Sequence, residues 1–398
     1  MDTIISLILV ALFAYIGTAL YRLEKLPPPL KAFVSSGIGF AFLGWILGEQ
    51  VFGVLGKSTM QNLSVLLDLG LGWVGLIFGL GFNISDLKRF PWRQHAAGLA
   101  EASITIVVCL VPLLLWFQHH WPYTAPKVFT IATLCAVASV SSPTSMALVM
   151  GHLQPRGPVT DLLRLLNSID AVPALVLVGI LASSSTVHPM HLGPSTHALV
   201  WFGISCGMGL ALGALSHLLT LYKYGENEML VIMLGLVIFS GGAAHYLHLS
   251  PLFVNFISGM LMANRSPARA RIASALSSVE KPIYLMMLTL SGAMWSSPTS
   301  TGWVLVVAFI GLRIAGKWLG GLSAAKIAGC RAYLPLGIGP GLFGHGAMAL
   351  ALALGFGQFH QGPALELMLT AVLASMFITT IGGPASVRLV LVLSGEHR

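Results

Sequence analysis

The sequence predicts an all-α polytopic membrane protein with about thirteen transmembrane helices. Of its 398 residues, 56% are hydrophobic and only 9% are charged, and the mean hydropathy is +0.85. Soluble domains carry roughly 25% charged residues, so a deficit spread along the whole chain excludes a soluble domain with one anchor. Two apolar stretches contain proline in their middle, one of them together with glycines, which predicts helices that break within the membrane.

The predicted spans follow one another with short connections. A helix needs roughly 20 apolar residues to cross a bilayer, and the ninth and tenth stretches are short by this measure. In chain order the stretches are Thr3–Leu20, Leu30–Gly48, Leu63–Phe82, Ala96–Phe117, Val128–Met150, Leu162–Ala182, Ala198–Leu221, Met229–Leu247, Pro251–Ala263, Pro282–Trp295, Trp303–Ala328, Leu334–Phe356 and Leu367–Val392. We expect one transmembrane domain over residues 1–392 and a short cytoplasmic tail over residues 393–398.

The basic residues indicate the orientation of the chain. Of the 21 lysines and arginines, only Lys57 and Lys127 follow even-numbered spans, Arg313 and Lys317 lie inside a span, and the other seventeen follow or flank odd-numbered spans. The positive-inside rule then predicts an outside N-terminus, a cytoplasmic C-terminus and an odd span count. The net charge of +8 therefore faces the anionic headgroups of the lipid bilayer, and no nucleic acid partner is expected.

The N-terminal apolar run and the spacing of the cysteines exclude a cleaved signal peptide and a cysteine metal site. The first apolar run is preceded by Asp2 and followed by Tyr21-Arg22, so it lacks the basic start and small-residue cleavage site of a signal peptide. It is predicted to remain as a membrane span. The four cysteines show no metal-binding spacing, and we expect neither a metal nor a cofactor.

Two predicted spans carry helix breaks. The fifth contains Val140–Ser145, with Pro143 in its middle, and the twelfth contains Gly337–Gly341 followed by Gly344–Gly346. Proline removes a backbone donor and glycine weakens a helix, so both segments can unwind at mid-membrane. The two spans run in opposite directions. Paired breaks of this kind indicate inverted repeats with a binding site between them.

The ionisable side chains that point most clearly to a site inside the predicted spans are Asp170 in the sixth, and Arg313 with Lys317 in the eleventh. Each costs about 2.5–3.5 kcal/mol to place in hydrocarbon, so such residues usually handle ions or protons. Asn167 lies three residues before Asp170 and shares its helix face. Pro173 leaves the carbonyl of the residue four positions earlier without its helical donor.

Asp170 is the central candidate for binding an ion or a proton. With the hydroxyl of Ser142 or Thr144, with Asn167 and with free carbonyls it offers the hard oxygen ligands that a monovalent cation needs. The alternative is a structural acid paired with a buried base. That alternative is disfavoured because a purely structural buried pair gains little stability.

Arg313 and Lys317 are four residues apart and point the same way. Lys317 is predicted to neutralise Asp170 when no cation is bound, or to lose a proton itself, whereas Arg313 is a fixed counter-charge. For each, the alternative is a structural partnership with Glu101 or Asp68.

Glu101 and His345 are secondary candidates. Glu101 lies near the cytoplasmic start of the fourth span, where it can belong to a rim or vestibule. His345 lies between two glycines of the broken twelfth span, where it can shuttle protons. The favoured interpretation of His345 is a hydrogen-bonded packing histidine.

Several segments of the chain, taken in order, resemble a known family. They are Ala138–Ser145 with the downstream Pro155–Thr160, the span around Asp170, Gly316–Gly320 with Ala328-Gly329, and Gly344–Leu350. Together they resemble the monovalent cation/proton antiporter superfamily, which includes the bacterial sodium/proton exchangers. The resemblance extends from about Leu30 to the end of the chain and implies the inverted-repeat antiporter fold with two broken crossing helices.

The resemblance also implies roles for individual residues. Asp170 is similar to the aspartate that binds ions and protons, Ser142 and Thr144 to ligands on the unwound helix, and Lys317 to the basic residue that faces the site. One position departs from the family pattern. Ile169 stands where the family usually has Asp or Asn, so we expect Lys317 to pair with Asp170 itself or with Asn167.

The resemblance further implies a homodimer with a dimerisation domain and a moving core. We expect the core bundle at about residues 96–182 and 303–392, with the remaining helices forming the scaffold.

The sequence thus favours a secondary antiporter of the bacterial inner membrane that exchanges protons for Na⁺, or for K⁺ or Li⁺, by alternating access. A sodium-coupled symporter of an organic anion on the same scaffold is the main alternative. It would need a roomier cavity and a second sodium site. An intramembrane enzyme or sensor is disfavoured because no His-Glu-x-x-His, P-loop or aspartate-rich motif is present.

Overall fold

The computed structural model describes residues 37–120, 127–185, 194–222, 224–330 and 337–396. Within these ranges the chain is all-α, with one 3₁₀ turn, one isolated bridge between Gly48 and Leu55, and no strand. The helices are α1 Ile38–Leu47, α2 Lys57–Asn62, α3 Ser64–Leu80, α4 Ile84–Leu87, α5 Trp92–His120, α6 Lys127–Ser139, α7 Pro143–Leu153, α8 Pro158–Ile169, α9 Ala171–Ser184, α10 Pro194–Leu219, α11 Glu226–Tyr246, α12 Pro251–Arg265, α13 Arg269–Ala293, α14 Ser300–Ile327, α15 Ala347–Phe359 and α16 Pro363–Leu393.

Seven segments of the described chain are long and apolar enough to cross a membrane, which confirms a polytopic membrane protein. They are Trp92–His119, Val128–Gly151, Pro158–Ser184, Thr196–Leu219, Glu226–Tyr246, Ser300–Ile327 and Pro363–Leu393. Three shorter apolar helices, α1, α3 and α15, accompany them. The total of thirteen spans stays a prediction, because Thr3–Leu20 and the first part of Leu30–Gly48 lie outside the described residues.

The chain divides into two compact units. Unit 1 takes its helices from the residues up to Arg89, from Gly179–Trp295 and from Leu354–Phe359. Unit 2 takes its helices from Phe90–Val178, Ser296–Ala353 and the residues after His360.

Within unit 1, glycine allows α3 and α12 to approach backbone to backbone. A Cβ atom on Gly75 would lie 2.2 Å from the carbonyl oxygen of Leu252, and one on Gly79 would lie 2.2 Å from that of Phe256. From the other side, a Cβ on Gly259 would lie 2.4 Å from the carbonyl oxygen of Leu76. Small residues at such contacts are the usual basis of tight helix packing in membranes.

Within unit 2, both predicted helix breaks are present. Residues 140–142 are non-helical between α6 and α7, and the Ser142 hydroxyl caps α7 by accepting a hydrogen bond from the Thr144 backbone N–H at 3.2 Å. In the second break a 3₁₀ turn, Gly339–Leu342, is followed by non-helical residues 343–346 before α15. The two breaks meet where the Ser142 backbone N–H donates to the Gly344 carbonyl at 3.0 Å.

The second broken segment packs closely against α14. A Cβ atom on Gly321 would lie 2.1 Å from the backbone nitrogen of Gly339, and one on Gly339 would lie 2.3 Å from the carbonyl oxygen of Lys317. Residues 331–336, which belong to the predicted twelfth span, lie outside the described residues. The inverted-repeat relation between the two halves stays a prediction.

Two span boundaries differ from the sequence prediction. Helix α13 begins at Arg269 and runs through Pro282, where the predicted tenth span began. The first half of this helix is polar, so its hydropathy resembles that of a loop although the backbone is helical. The sixth span is divided at Asp170, since α8 ends at Ile169 and α9 begins at Ala171.

Candidate ion-binding site

Asp170 lies at the junction of α8 and α9 and is fully buried. Its Oδ2 atom accepts hydrogen bonds from the Ser141 backbone N–H at 3.0 Å and from Lys317 Nζ at 2.9 Å. Its Oδ1 atom has no hydrogen-bond partner among the described residues. Because a buried acceptor without a partner is costly, this oxygen is available to a proton or a cation.

Lys317 is fully buried on α14, and its ammonium is surrounded by oxygen atoms. Besides Asp170, it contacts Glu101 Oε1 at 3.0 Å and donates to the carbonyl oxygen of Ser139, the last residue of α6. The three residues that supply these oxygens therefore belong to α5, α6 and the α8–α9 junction. The sequence offered Asp170 and Glu101 as alternative partners of Lys317, and in the structure both contact it.

Glu101 is also fully buried and lies at the centre of this cluster instead of at a rim. The Thr105 hydroxyl, one turn further along α5, donates to the Glu101 carbonyl at 3.0 Å and lies 3.4 Å from Oε1. Packing against α14 is close here, since a Cβ atom on Gly320 would lie 2.7 Å from the Glu101 carbonyl oxygen.

Arg313 joins the two broken segments to α14. Its Nη1 atom donates to the Phe343 carbonyl at 2.6 Å, and Nη2 donates to the carbonyls of Val140 at 3.1 Å and Gly344 at 3.0 Å. Unwound backbone inside a membrane needs such internal partners. The hydrogen bonds of Arg313 go to carbonyl oxygens, not to Glu101 or Asp68, which the sequence left open as its partners.

The fold agrees with the comparisons to known proteins. Residues 8–393 match the family described as "Sodium/hydrogen exchanger, transmembrane". This chain belongs to the sodium/hydrogen exchanger family. The predicted relationship to monovalent cation/proton antiporters is therefore confirmed.

Two solved structures share the fold of this exchanger. One is the sodium proton antiporter MjNhaP1 from Methanocaldococcus jannaschii at pH 8, with a TM-score of 0.66 and 14% identity over 100% of both chains. The other is an electron-microscopy structure of the same antiporter, with a TM-score of 0.61 and 15% identity over 99% of this chain and 95% of that chain. At such identities the likeness concerns the fold alone.

The predicted ligands on and near the unwound helix make different contacts in the structure. Asn167 Nδ2 donates to the Ser142 carbonyl at 3.4 Å, while its Oδ1 has no partner among the described residues. The Ser142 hydroxyl is used to cap α7. The Thr144 side chain is exposed, and its backbone, not its hydroxyl, makes the contact that the structure shows.

His345 is buried in the second broken segment of the exchanger. Its backbone N–H donates to the Thr379 hydroxyl at 3.1 Å, and its Nε2 atom lies 3.0 Å from the Val137 carbonyl. Its Nδ1 atom has no partner among the described residues. The ring therefore contacts α6 and the backbone contacts α16, as expected for a hydrogen-bonded packing histidine.

Asp68 belongs to unit 1, whereas the residues of this cluster belong to unit 2. It is bonded to His245, with 3.0 Å between Oδ2 and Nδ1, and to the Gln358 amide. Its partners are thus neither Arg313 nor Lys317.

Two contributors to the site were not predicted from the sequence: the Ser141 backbone N–H and the Ser139 carbonyl. Both are backbone groups exposed by the predicted break, so the break was their only sequence signal. No group of three or more histidine, cysteine or acidic residues suited to a metal occurs in the part of the chain that the structure describes.

Proposed function

We propose that this exchanger is a secondary antiporter that exchanges protons for a monovalent cation, with Na⁺ as the first candidate and K⁺ and Li⁺ as the others. The observation that carries the proposal is the fully buried Lys317 ammonium, held by oxygens of Asp170, Glu101 and Ser139. Hard cations bind the same kinds of oxygen. The ammonium therefore occupies the kind of position that a bound Na⁺ would take.

The charges of the cluster support competition between a proton and a cation. With Asp170 and Glu101 ionised and Lys317 and Arg313 protonated, the four buried side chains have no net charge. A proton on Asp170, or a Na⁺ beside the ionised Asp170, adds one positive charge in either case. The bound proton and the bound Na⁺ thus carry the same charge and need the same carboxylate.

Competition for one carboxylate couples the two fluxes. Removing a carboxylate from water favours its protonated form, so a proton competes effectively with a cation at a buried acid. Loading by either ion weakens the pairing of Asp170 with Lys317. The empty, ion-paired site and the loaded site therefore differ in their contacts, which is what a two-state transporter requires.

Alternating access is the transport step of this proposal. All residues of the proposed ion site belong to unit 2, which supports a mechanism in which unit 2 carries the bound ion as one body. Unit 1 then supplies the scaffold and, as the family resemblance implies, the contacts of a homodimer. The proposed location is the bacterial inner membrane, with the N-terminus outside and the C-terminus in the cytoplasm.

The test is cation-driven pH change in everted vesicles that contain the protein, with Na⁺, K⁺ and Li⁺ assayed separately. Asp170→Asn should abolish the response while the protein is still produced and inserted. The matched control is Asp161→Asn on the same helix, because that exposed carboxylate lies 3.9 Å from Arg164 and away from the site.

Each outcome of this test is informative. Wild-type activity in the Asp170→Asn variant would remove this residue from the mechanism. A wild-type protein that responds to none of the three cations but takes up an organic anion would instead support the symporter.

A further inference from the structure

The segment that follows α16 returns to the beginning of α8. Glu396 Oε1 accepts a hydrogen bond from the Val159 backbone N–H at 2.9 Å, and Oε2 accepts from the Thr160 backbone N–H at 2.8 Å and from the Thr160 hydroxyl at 2.7 Å. The first backbone donors of a helix have no partner within it. A carboxylate satisfies them and interacts favourably with the positive end of the helix dipole.

Gly157 provides the space for this carboxylate. A Cβ atom at this position would lie 2.2 Å from Glu396 Cδ and 2.3 Å from its Oε1. The Gly157 backbone is extended, a conformation that any residue can adopt. The contact therefore requires the absence of a side chain, not the backbone freedom of glycine.

Helix α8 connects this contact to the ion site. Asp170 directly follows its last residue and lies ten residues, or about 15 Å, from Thr160. Along the helix, Leu163 packs against Gly341 of the 3₁₀ turn, and a Cβ atom on Gly341 would lie 2.7 Å from Leu163 Cδ2. Ile169 packs in the same way against Gly98 of α5. A displacement of α8 along its axis would therefore move Asp170 relative to Lys317 and Glu101.

We propose that Glu396 is a positioning residue for the ion site. Its carboxylate anchors the start of α8 and so fixes where Asp170 stands at the other end. This proposal rests on the antiport function proposed above. Without the anchor, the start of α8 loses these hydrogen bonds to the segment after α16, and the separation of 2.9 Å between Asp170 and Lys317 is no longer fixed from this end of the helix.

The transport test compares Glu396→Gln, Glu396→Ala and Gly157→Ala with wild type. Each should raise the apparent KM for Na⁺ by about threefold or more with a smaller change in maximal rate, because a looser site binds the cation less well. Glu396→Asp, which keeps the charge, should retain part of the wild-type affinity. Asp161→Asn is the control, since it removes a carboxylate from the same helix turn without touching the contact.

A double variant separates the proposed contact from general damage. Gly157→Ala acts by displacing the Glu396 carboxylate, so it should add nothing in the Glu396→Ala background. Additive losses in the double variant, or an unchanged KM for Na⁺ in all three single variants, would overturn the positioning role.

Hydrogen–deuterium exchange on the purified full-length protein tests the same idea without relying on transport. Glu396→Gln should raise exchange in peptides covering Val159 and Thr160 and also in peptides covering Asn167 to Ala171. Faster exchange confined to the first of these regions would contradict the coupling along α8. If the wild type fails to exchange cations in vesicles, the function is wrong, but this measurement still decides whether Glu396 fixes the far end of α8.

Discussion

Lys317→Met is the substitution that perturbs the ion cluster most. The methionine side chain has a similar length, but it removes the cation that Asp170 contacts at 2.9 Å and Glu101 at 3.0 Å. Removing one partner of a buried ion pair costs about 3–5 kcal/mol, because an uncompensated charge is left behind. Here two carboxylates lose their partner at once. We expect a loss at the upper end of that range in the free energy of unfolding.

Asp170→Asn should cost less. The amide retains an oxygen that can accept from the Ser141 N–H, and Lys317 keeps its contacts with Glu101 and the Ser139 carbonyl. The loss is then that of one hydrogen bond to a charged group, about 1.5–3 kcal/mol, together with the cost of the one positive charge that the cluster keeps.

The double variant Asp170→Asn/Lys317→Met distinguishes a coupled cluster from two independent sites. It leaves Glu101 as the single unpaired acid, so it should be more stable than the sum of the two losses predicts. Residues in one ion-pair network show interaction free energies of about 0.5–3 kcal/mol, whereas distant sites add within about 0.5 kcal/mol.

The assay is denaturant unfolding of the purified proteins in detergent without Na⁺, followed by tryptophan fluorescence. Lys317→Met combined with Asp161→Asn is the control pair, and its losses should add. If the losses of Asp170→Asn and Lys317→Met also add, then the 2.9 Å contact does not link their energetics and the cluster described above is wrong.

Two further predictions concern packing and pH. Gly321→Ala should abolish folded protein, because its Cβ atom would lie 2.1 Å from the Gly339 backbone, whereas Gly311→Ala on the same helix meets nothing within 4 Å and should be produced at wild-type levels. Outside the membrane, the hydrogen bond from Arg269 holds the pKa of Asp86 below its ordinary 3.8. A lowered pKa gives stability that is present above the unfolded pKa and is lost as pH falls through the folded value. Arg269→Gln should therefore be less stable than wild type at neutral pH, and thermal unfolding curves should converge as the pH falls below 3.8. Parallel curves at all pH values would exclude this ion pair as the cause.

The features that the sequence predicted correctly are those with local causes. Low charge and long apolar runs predicted the membrane helices, and the breaks at residues 140–142 and 343–346 follow from nearby proline and glycine. The division of the sixth span at Asp170, where α8 gives way to α9, was not predicted, although Pro173 was expected to leave the Ile169 carbonyl without its helical donor. The polar first half of α13 was not predicted to be helical, because a polar half-helix and a loop have the same hydropathy.

The features that the sequence did not predict depend on contacts between distant segments. Glu101 and Lys317 are separated by 216 positions, and nothing near Glu101 indicates that its carboxylate turns inward. The Ser141 N–H and Ser139 carbonyl belong to the backbone, which carries no residue-specific signal. Glu396 lies even further from Thr160, at a separation of 236 positions.

The position of Ile169 accounts for the central place of Glu101. Where the family pattern usually has an acid or an amide, this chain has an apolar side chain that packs against Gly98, so that a Cβ atom on Gly98 would lie 3.0 Å from it. Glu101 is three residues further along α5 and therefore on the same face. The contact between Ile169 and Gly98 thus places this face of α5 against the end of α8. From there Glu101 supplies the second carboxylate to Lys317, and the buried charges of Asp170, Glu101, Lys317 and Arg313 balance without a polar residue at position 169.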